Sequence, residues 1–194
     1  MYTYNSLSLW IAEIPISLPF SEVLWPALGA TLACVVAHAL LAFFTSSNRS
    51  RAKLGWVRGS LYGLYLITIL VLGLSSLVSV IQYGHMSGYA LLGHVAAAGA
   101  FTFLLLAIAF LMLPCSEDDP KLRTNRWWLS RWSVWGLVIS SLVAAGSMFL
   151  SMLPILDTSG LLQMAEVHRY AGLCVVIMAC VHLYSLACTR MGWR

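Results

Sequence analysis

Residues 166–187 read EVHRYAGLCVVIMACVHLYSLA. After Arg169 the stretch carries no Asp, Glu, Lys or Arg through Ala187, a run of 18 residues. Wound as a helix it is about 27 Å long, close to the roughly 30 Å thickness of a hydrocarbon core. Inside lipid no water satisfies backbone N–H and C=O groups, so such a run must satisfy them within itself as an α-helix. It nevertheless holds two imidazoles, His168 and His182, fourteen positions apart.

Four more apolar runs precede it. The five expected spans are Val23–Thr45, Gly59–Ile81, Tyr89–Leu113, Ser130–Leu153 and Val167–Cys188, each 22 to 25 residues long. The chain of 194 residues is 60% hydrophobic and only 9% charged, too little charge to cover a soluble domain. The expected fold is therefore an all-α integral membrane bundle of five transmembrane helices. Residues 1–22 form an external N-terminal segment and residues 23–194 one transmembrane domain. The connections are about twenty residues or shorter, so no soluble catalytic domain lies between the spans.

Charge placement orients the bundle. Arg49, Arg51, Lys53, Arg58, Lys121, Arg123, Arg126, Arg131, Arg190 and Arg194 all fall on one side of the five spans, and only Arg169 on the other. Basic loops stay cytoplasmic, which predicts an external N-terminus and a cytoplasmic C-terminus. Residues 1–22 lack Lys and Arg, unlike a cleaved signal peptide, and suit a segment lying against the membrane. Of five cysteines, none falls in a C-x-x-C or C-x-x-C-H pattern, so neither a zinc knuckle nor covalently attached haem is indicated.

His38, His94, His168 and His182 lie inside expected spans; His85 lies in the outer loop QYGHMSGY. Fourteen residues advance a helix by about 21 Å and turn it to within about 40° of a whole number of turns. His168 and His182 thus share one face, near opposite membrane surfaces. By depth, His94 matches His168 and His38 matches His182. Two facing imidazoles at one depth are what a six-coordinate haem b takes, one on each side of its iron. The expectation is two non-covalent bis-histidine haems, the outer on His94 and His168, the inner on His38 and His182. A zinc site would need four ligands at one point, and a proton relay would call for acidic residues between the pairs. Small residues surround the ligands, with Gly172 one turn beyond His168 and His94 inside GHVAAAGA. Gly136, Ser140, Ala144, Ser147 and Ser151 form a further small-residue stripe on the fourth span, suited to a macrocycle or to helix packing.

The stretch from His168 through Gly172 to His182-Leu-Tyr resembles the last ligand-bearing helix of bacterial di-haem cytochromes b. These include cytochrome b561 and the membrane subunits of formate dehydrogenase and nickel–iron hydrogenase. GHVAAAGAF around His94 is similar to their second ligand helix. The resemblance covers roughly residues 58–189 and is specific around His94 and His168–His182. It implies His94 and His168 on the outer haem and His182 on the inner. The family's first ligand helix opens with Arg and then His-Trp; here it reads RGSLYGLY, Arg58 to Tyr65, with no histidine. His38, on an additional span, is the candidate replacement by depth.

The expected function is a transmembrane electron-transfer subunit working between a quinone pool and a peripheral redox partner, an iron–sulfur protein or a cytochrome c. Its expected place is the bacterial inner membrane, in contact with lipid. The alternatives are the haem anchor of a succinate dehydrogenase or fumarate reductase, and a haem-free membrane scaffold or assembly subunit. Arg169 is a candidate partner of an outer haem propionate, or an interfacial anchor. Tyr83, His85 and Tyr89 either border an outer quinol site or are solvated loop residues. Trp127, Trp128, Trp132 and Trp135 suit an aromatic belt, and SEDDPKLR a solvated turn open to a cytoplasmic partner.

Overall fold

The computed structural model describes residues 19–43, 56–112 and 128–191. Its elements are α1 (Phe20–Phe43), α2 (Trp56–Tyr83), α3 (Gly88–Met112), α4 (Trp128–Met152) and α5 (Thr158–Met191). All five are long and apolar enough to cross a membrane, and no strand occurs among the described residues. Residues 1–18, the loop cations Arg49, Arg51, Lys53, Lys121, Arg123, Arg126 and Arg194, Trp127 and the SEDDPKLR turn lie outside them.

Four of the helices fall within three residues of expectation at both ends. The fifth helix starts at Thr158, nine residues before the expected Val167, and runs for 34 residues. Hydropathy marks where a chain becomes apolar, whereas a helix starts where its orphan N–H groups find a cap. Here Asp157 supplies it: its carboxylate accepts the Gly160 N–H at 2.8 Å and the Ser159 hydroxyl at 2.9 Å. The Gly160 amide, with help from Ser159, holds the exposed Asp157 carboxyl below its ordinary pKa. Because the folded-state pKa is lowered, the cap is complete at neutral pH and is lost as pH falls through that lowered value. Hydrogen exchange at residues 158–161 should therefore accelerate in acid, beyond the intrinsic pH dependence of exchange, and Asp157→Ala should remove that extra acceleration.

Helices α2 to α5 form an up-and-down ring, each touching the next and α5 closing on α2. Contacts are dense within the α2–α3 and α4–α5 hairpins and sparser between the hairpins. The α2–α3 turn is tight. Gly84 accepts φ 71° and Gly88 φ 56°, left-handed values that favour glycine, and the Gly84 N–H caps the Val80 carbonyl at 3.0 Å. The α4–α5 interface is built from small residues: Ser133, Ser141, Ala144 and Ser147 are buried on α4. A Cβ at Gly136 would stand 2.7 Å from the Met178 sulfur. Much of the fourth-span stripe is thus helix packing, the driving force available where lipid removes the hydrophobic one.

The bundle centre is aromatic. Tyr65, 1% exposed, stacks on Phe101 with centroids 5.4 Å apart, and its hydroxyl shares a 3.1 Å hydrogen bond with the fully buried Ser141. Ile69, Leu105, Leu137, Val175 and Ala179 complete this core. Outward, Leu32, Leu41, Leu64, Ile67, Leu70 and Phe103 are exposed, a surface suited to lipid contact. Trp132 and Trp135 also stand on the outside.

Helix α1 lies outside the ring against α5. Phe20 meets Tyr170 edge-to-face at 5.6 Å, and His38 meets Tyr184 in the same way at 5.6 Å. Both helices therefore run in the same direction, as alternating spans require. Tyr170 and Tyr184 are fourteen apart and share one face of α5. His168 and His182 share another, two residues or about 200° away. Helix α5 is thus two-sided, tyrosines towards α1 and histidines towards the ring.

Candidate functional site

At one end of the ring, four helices converge on a histidine pair. His94 of α3 and His168 of α5 have ring centroids 6.4 Å apart and planes inclined at 83°. Each is fixed by its own Nδ1. The His168 Nδ1–H donates to the Ala144 carbonyl on α4 at 2.9 Å. A carbonyl only accepts, so the proton is on Nδ1 and the lone pair on Nε2. His94 Nδ1 stands 3.0 Å from the Ser75 hydroxyl on α2. Ser75 is also 3.1 Å from the Leu72 carbonyl, and with its hydrogen there it accepts from His94 Nδ1–H. With Ser75 so arranged, both imidazoles keep Nε2 as the lone-pair nitrogen.

A metal ion about 2.0–2.1 Å from a nitrogen of each of two opposed imidazoles separates the ring centroids by about 6.3 Å. The 6.4 Å separation agrees; it also suits a plain edge-to-face contact. What distinguishes the site is the pair of outer bonds, since ligating histidines are oriented by a carbonyl or hydroxyl on the other nitrogen. Gly172, one turn from His168, is half-buried, yet a Cβ there would meet nothing within 4 Å. The site thus supplies two oriented imidazoles, the donor pair an iron porphyrin takes, with free space at Gly172 one turn from His168.

The second expected pair is not brought together. His182, 3% exposed, faces into the ring, where Nδ1 shares a 2.9 Å hydrogen bond with Ser133 of α4 and its ring meets Tyr62 of α2 at 5.7 Å. His38 reaches α5 from the other side, its Nδ1 2.6 Å from the Tyr184 hydroxyl. Equal depth does not suffice, because α1 packs on the tyrosine face of α5, about 200° from His182. The group opposite His182 is Tyr62, whose buried hydroxyl has no hydrogen-bond partner. A buried hydroxyl without a partner is costly.

The other candidates sit apart. Arg169 is exposed and paired with Glu166, three residues before it. His85 is exposed, its Nδ1–H donating to the Tyr83 carbonyl at 2.9 Å, and Tyr83 and Tyr89 are also exposed. Ser75, Ser133, Tyr62, Tyr184 and the Ala144 carbonyl were not legible as site groups. Tyr184 alone had a signal, the fourteen-residue repeat with Tyr170.

No protein-family model matches the chain, and no curated protein or solved structure is significantly similar to it.

Proposed function

We propose that this chain is the membrane cytochrome b subunit of an oxidoreductase complex, holding haem b between His94 and His168. It carries electrons between a quinone pool and a peripheral redox partner, in a bacterial inner membrane with the N-terminus external. The observation that carries this reading is the adjacent pair His94 and His168, each held through Nδ1 by a group on a neighbouring helix. Bound there, haem iron supplies a one-electron couple. The protein's own part is to fix both imidazoles in one tautomer, to hold their planes crossed and to keep the site half-buried. Ser75 and the Ala144 carbonyl also raise the basicity of the imidazoles they bond, which favours the ferric state.

His182 would be the residue of this chain to hold a second haem. The bis-histidine partner expected for it, His38, does not fit, because Tyr62 occupies the facing position. The ring of apolar helices and the resemblance around His168–His182 support the electron-carrier reading over a transporter.

The rival is a haem-free scaffold, favoured by one observation: each intramembrane histidine already bonds a neighbouring helix. Colour decides between them. Purified in detergent, the wild type should be red and yield haem b by pyridine haemochrome. A colourless, folded preparation from haem-replete cells would sink the cytochrome reading. Ser75→Ala should weaken haem retention about 10- to 100-fold, the usual cost of removing a ligand's outer hydrogen bond.

A further inference from the structure

His168 and His182 share one face of α5, yet the structure treats them differently. At His168 a second imidazole, His94, is at hand on α3, and a Cβ at Gly172 one turn away would meet nothing within 4 Å. At His182, about 21 Å further along the helix, neither feature is repeated. Of the five histidines, His94 is paired with His168, and His85 is exposed in the α2–α3 turn. His38 bonds Tyr184 on the opposite side of α5. None of them faces His182, so a haem there would lack the second imidazole that bis-histidine ligation needs.

The surroundings of His182 are closed as well. Ser133 of α4, itself buried, bonds its Nδ1 at 2.9 Å, and the Tyr62 ring of α2 meets it edge-to-face at 5.7 Å. Ala179 and Ser185, three residues to either side on α5, are buried too. Three residues beyond Tyr62, Tyr65 stacks on Phe101 and bonds Ser141, tying α2, α3 and α4 together next to the imidazole. A macrocycle needs its helices held apart beside the ligating ring; here side chains of α2 and α4 fill that position. The Tyr62 hydroxyl is buried without a protein partner, a demand that one water meets.

We infer that this chain holds a single haem, at the His94–His168 end, and that His182 fastens α5 to α2 and α4 instead of ligating iron. This rests on the proposed haem reading and adds a direction to it. Electrons enter and leave through the membrane face nearer His94 and His168. The opposite face lies beyond Ile69, Leu105, Leu137 and Val175, an apolar core through which tunnelling falls off steeply with distance. Quinone and redox partner therefore meet the haem from one side, and no electron crosses the bilayer. The chain departs here from the two-haem cytochromes that it resembles.

The test is haem b per polypeptide by pyridine haemochrome, on the full chain purified in detergent from haem-replete cells. The wild type should hold one haem, His182→Gln and Tyr62→Phe should keep it, and His168→Ala should lose it at least tenfold. A second measurement is independent of the variants. In sealed membrane vesicles of either orientation, with the haem reduced beforehand, membrane-impermeant ferricyanide should oxidise it at least tenfold faster from one face than from the other. Two haems per chain, one of them lost in His182→Gln, would overturn the inference and leave the His94–His168 reading standing. Equal rates from the two faces would overturn it as well. No haem in the wild type, or one haem that is lost with His182 and kept without His168, would overturn both.

Discussion

On the proposed reading, replacing His168 with alanine should remove the haem held between His94 and His168, and His94→Ala should do the same. Each imidazole would hold one side of the iron, so neither alone would suffice. The expected loss is at least tenfold in haem retained at that site after purification, with the double variant no worse than either single one. Such non-additivity is the mark of residues that act as a unit on one ligand. A scaffold whose histidines only bridge helices would behave otherwise. His168→Ala would then cost its bond to the Ala144 carbonyl, His94→Ala its bond to Ser75, and the two losses would add as stability. The readout is haem per polypeptide set beside helicity by circular dichroism, so that loss of cofactor is not confused with loss of fold. Imidazole added to His168→Ala should restore part of the low-spin spectrum, because the missing nitrogen is returned without the side chain.

The second large effect is on the bundle itself. Tyr65→Ala should destabilise the detergent-solubilised protein by roughly 3–5 kcal/mol, the usual cost of truncating a buried aromatic. Tyr65 is 1% exposed, stacked on Phe101 of α3 and bonded to Ser141 of α4, so it joins three helices at the centre of the ring. Tyr65→Phe keeps the ring and loses the hydroxyl; its cost should be about 0.6 kcal/mol, the average for hydrogen bonds between membrane helices, and at most about 1.7 kcal/mol. Equilibrium unfolding in mixed micelles separates the two. Equal costs for Phe and Ala would mean that the hydroxyl, rather than the packed ring, carries the contribution of Tyr65.

These expectations depend on features with different visibility in the sequence. The five helices were legible because apolar length is a one-dimensional property, and a run such as Gly59–Ile81 admits no other backbone solution in lipid. The start of α5 was not, because the hydropathy of 158–166 says little while a single cap residue, Asp157, decides where the helix begins. For the histidines, counting residues from span ends gave depth, which suffices to place His94 and His168 at one level. It did not give azimuth. His38 and His182 share a level too, but α1 meets the Tyr170–Tyr184 face of α5, and that face points about 200° from the histidines. The repeat Tyr170–Tyr184, offset by two from His168–His182, was present in the sequence as a sign that α5 has two occupied sides. The Ala144 carbonyl left no sign, since every residue has one and only the fold selects which imidazole reaches it.

The most direct test of the paired site is electron paramagnetic resonance of the oxidised, purified chain. Imidazole planes crossed at 83° on one iron give a strongly anisotropic low-spin ferric signal, distinct from the rhombic signal of parallel imidazoles. The account predicts that signal in the wild type and its disappearance in both His94→Ala and His168→Ala. A protein from haem-replete cells with no low-spin signal, or with one that survives both substitutions, would contradict it.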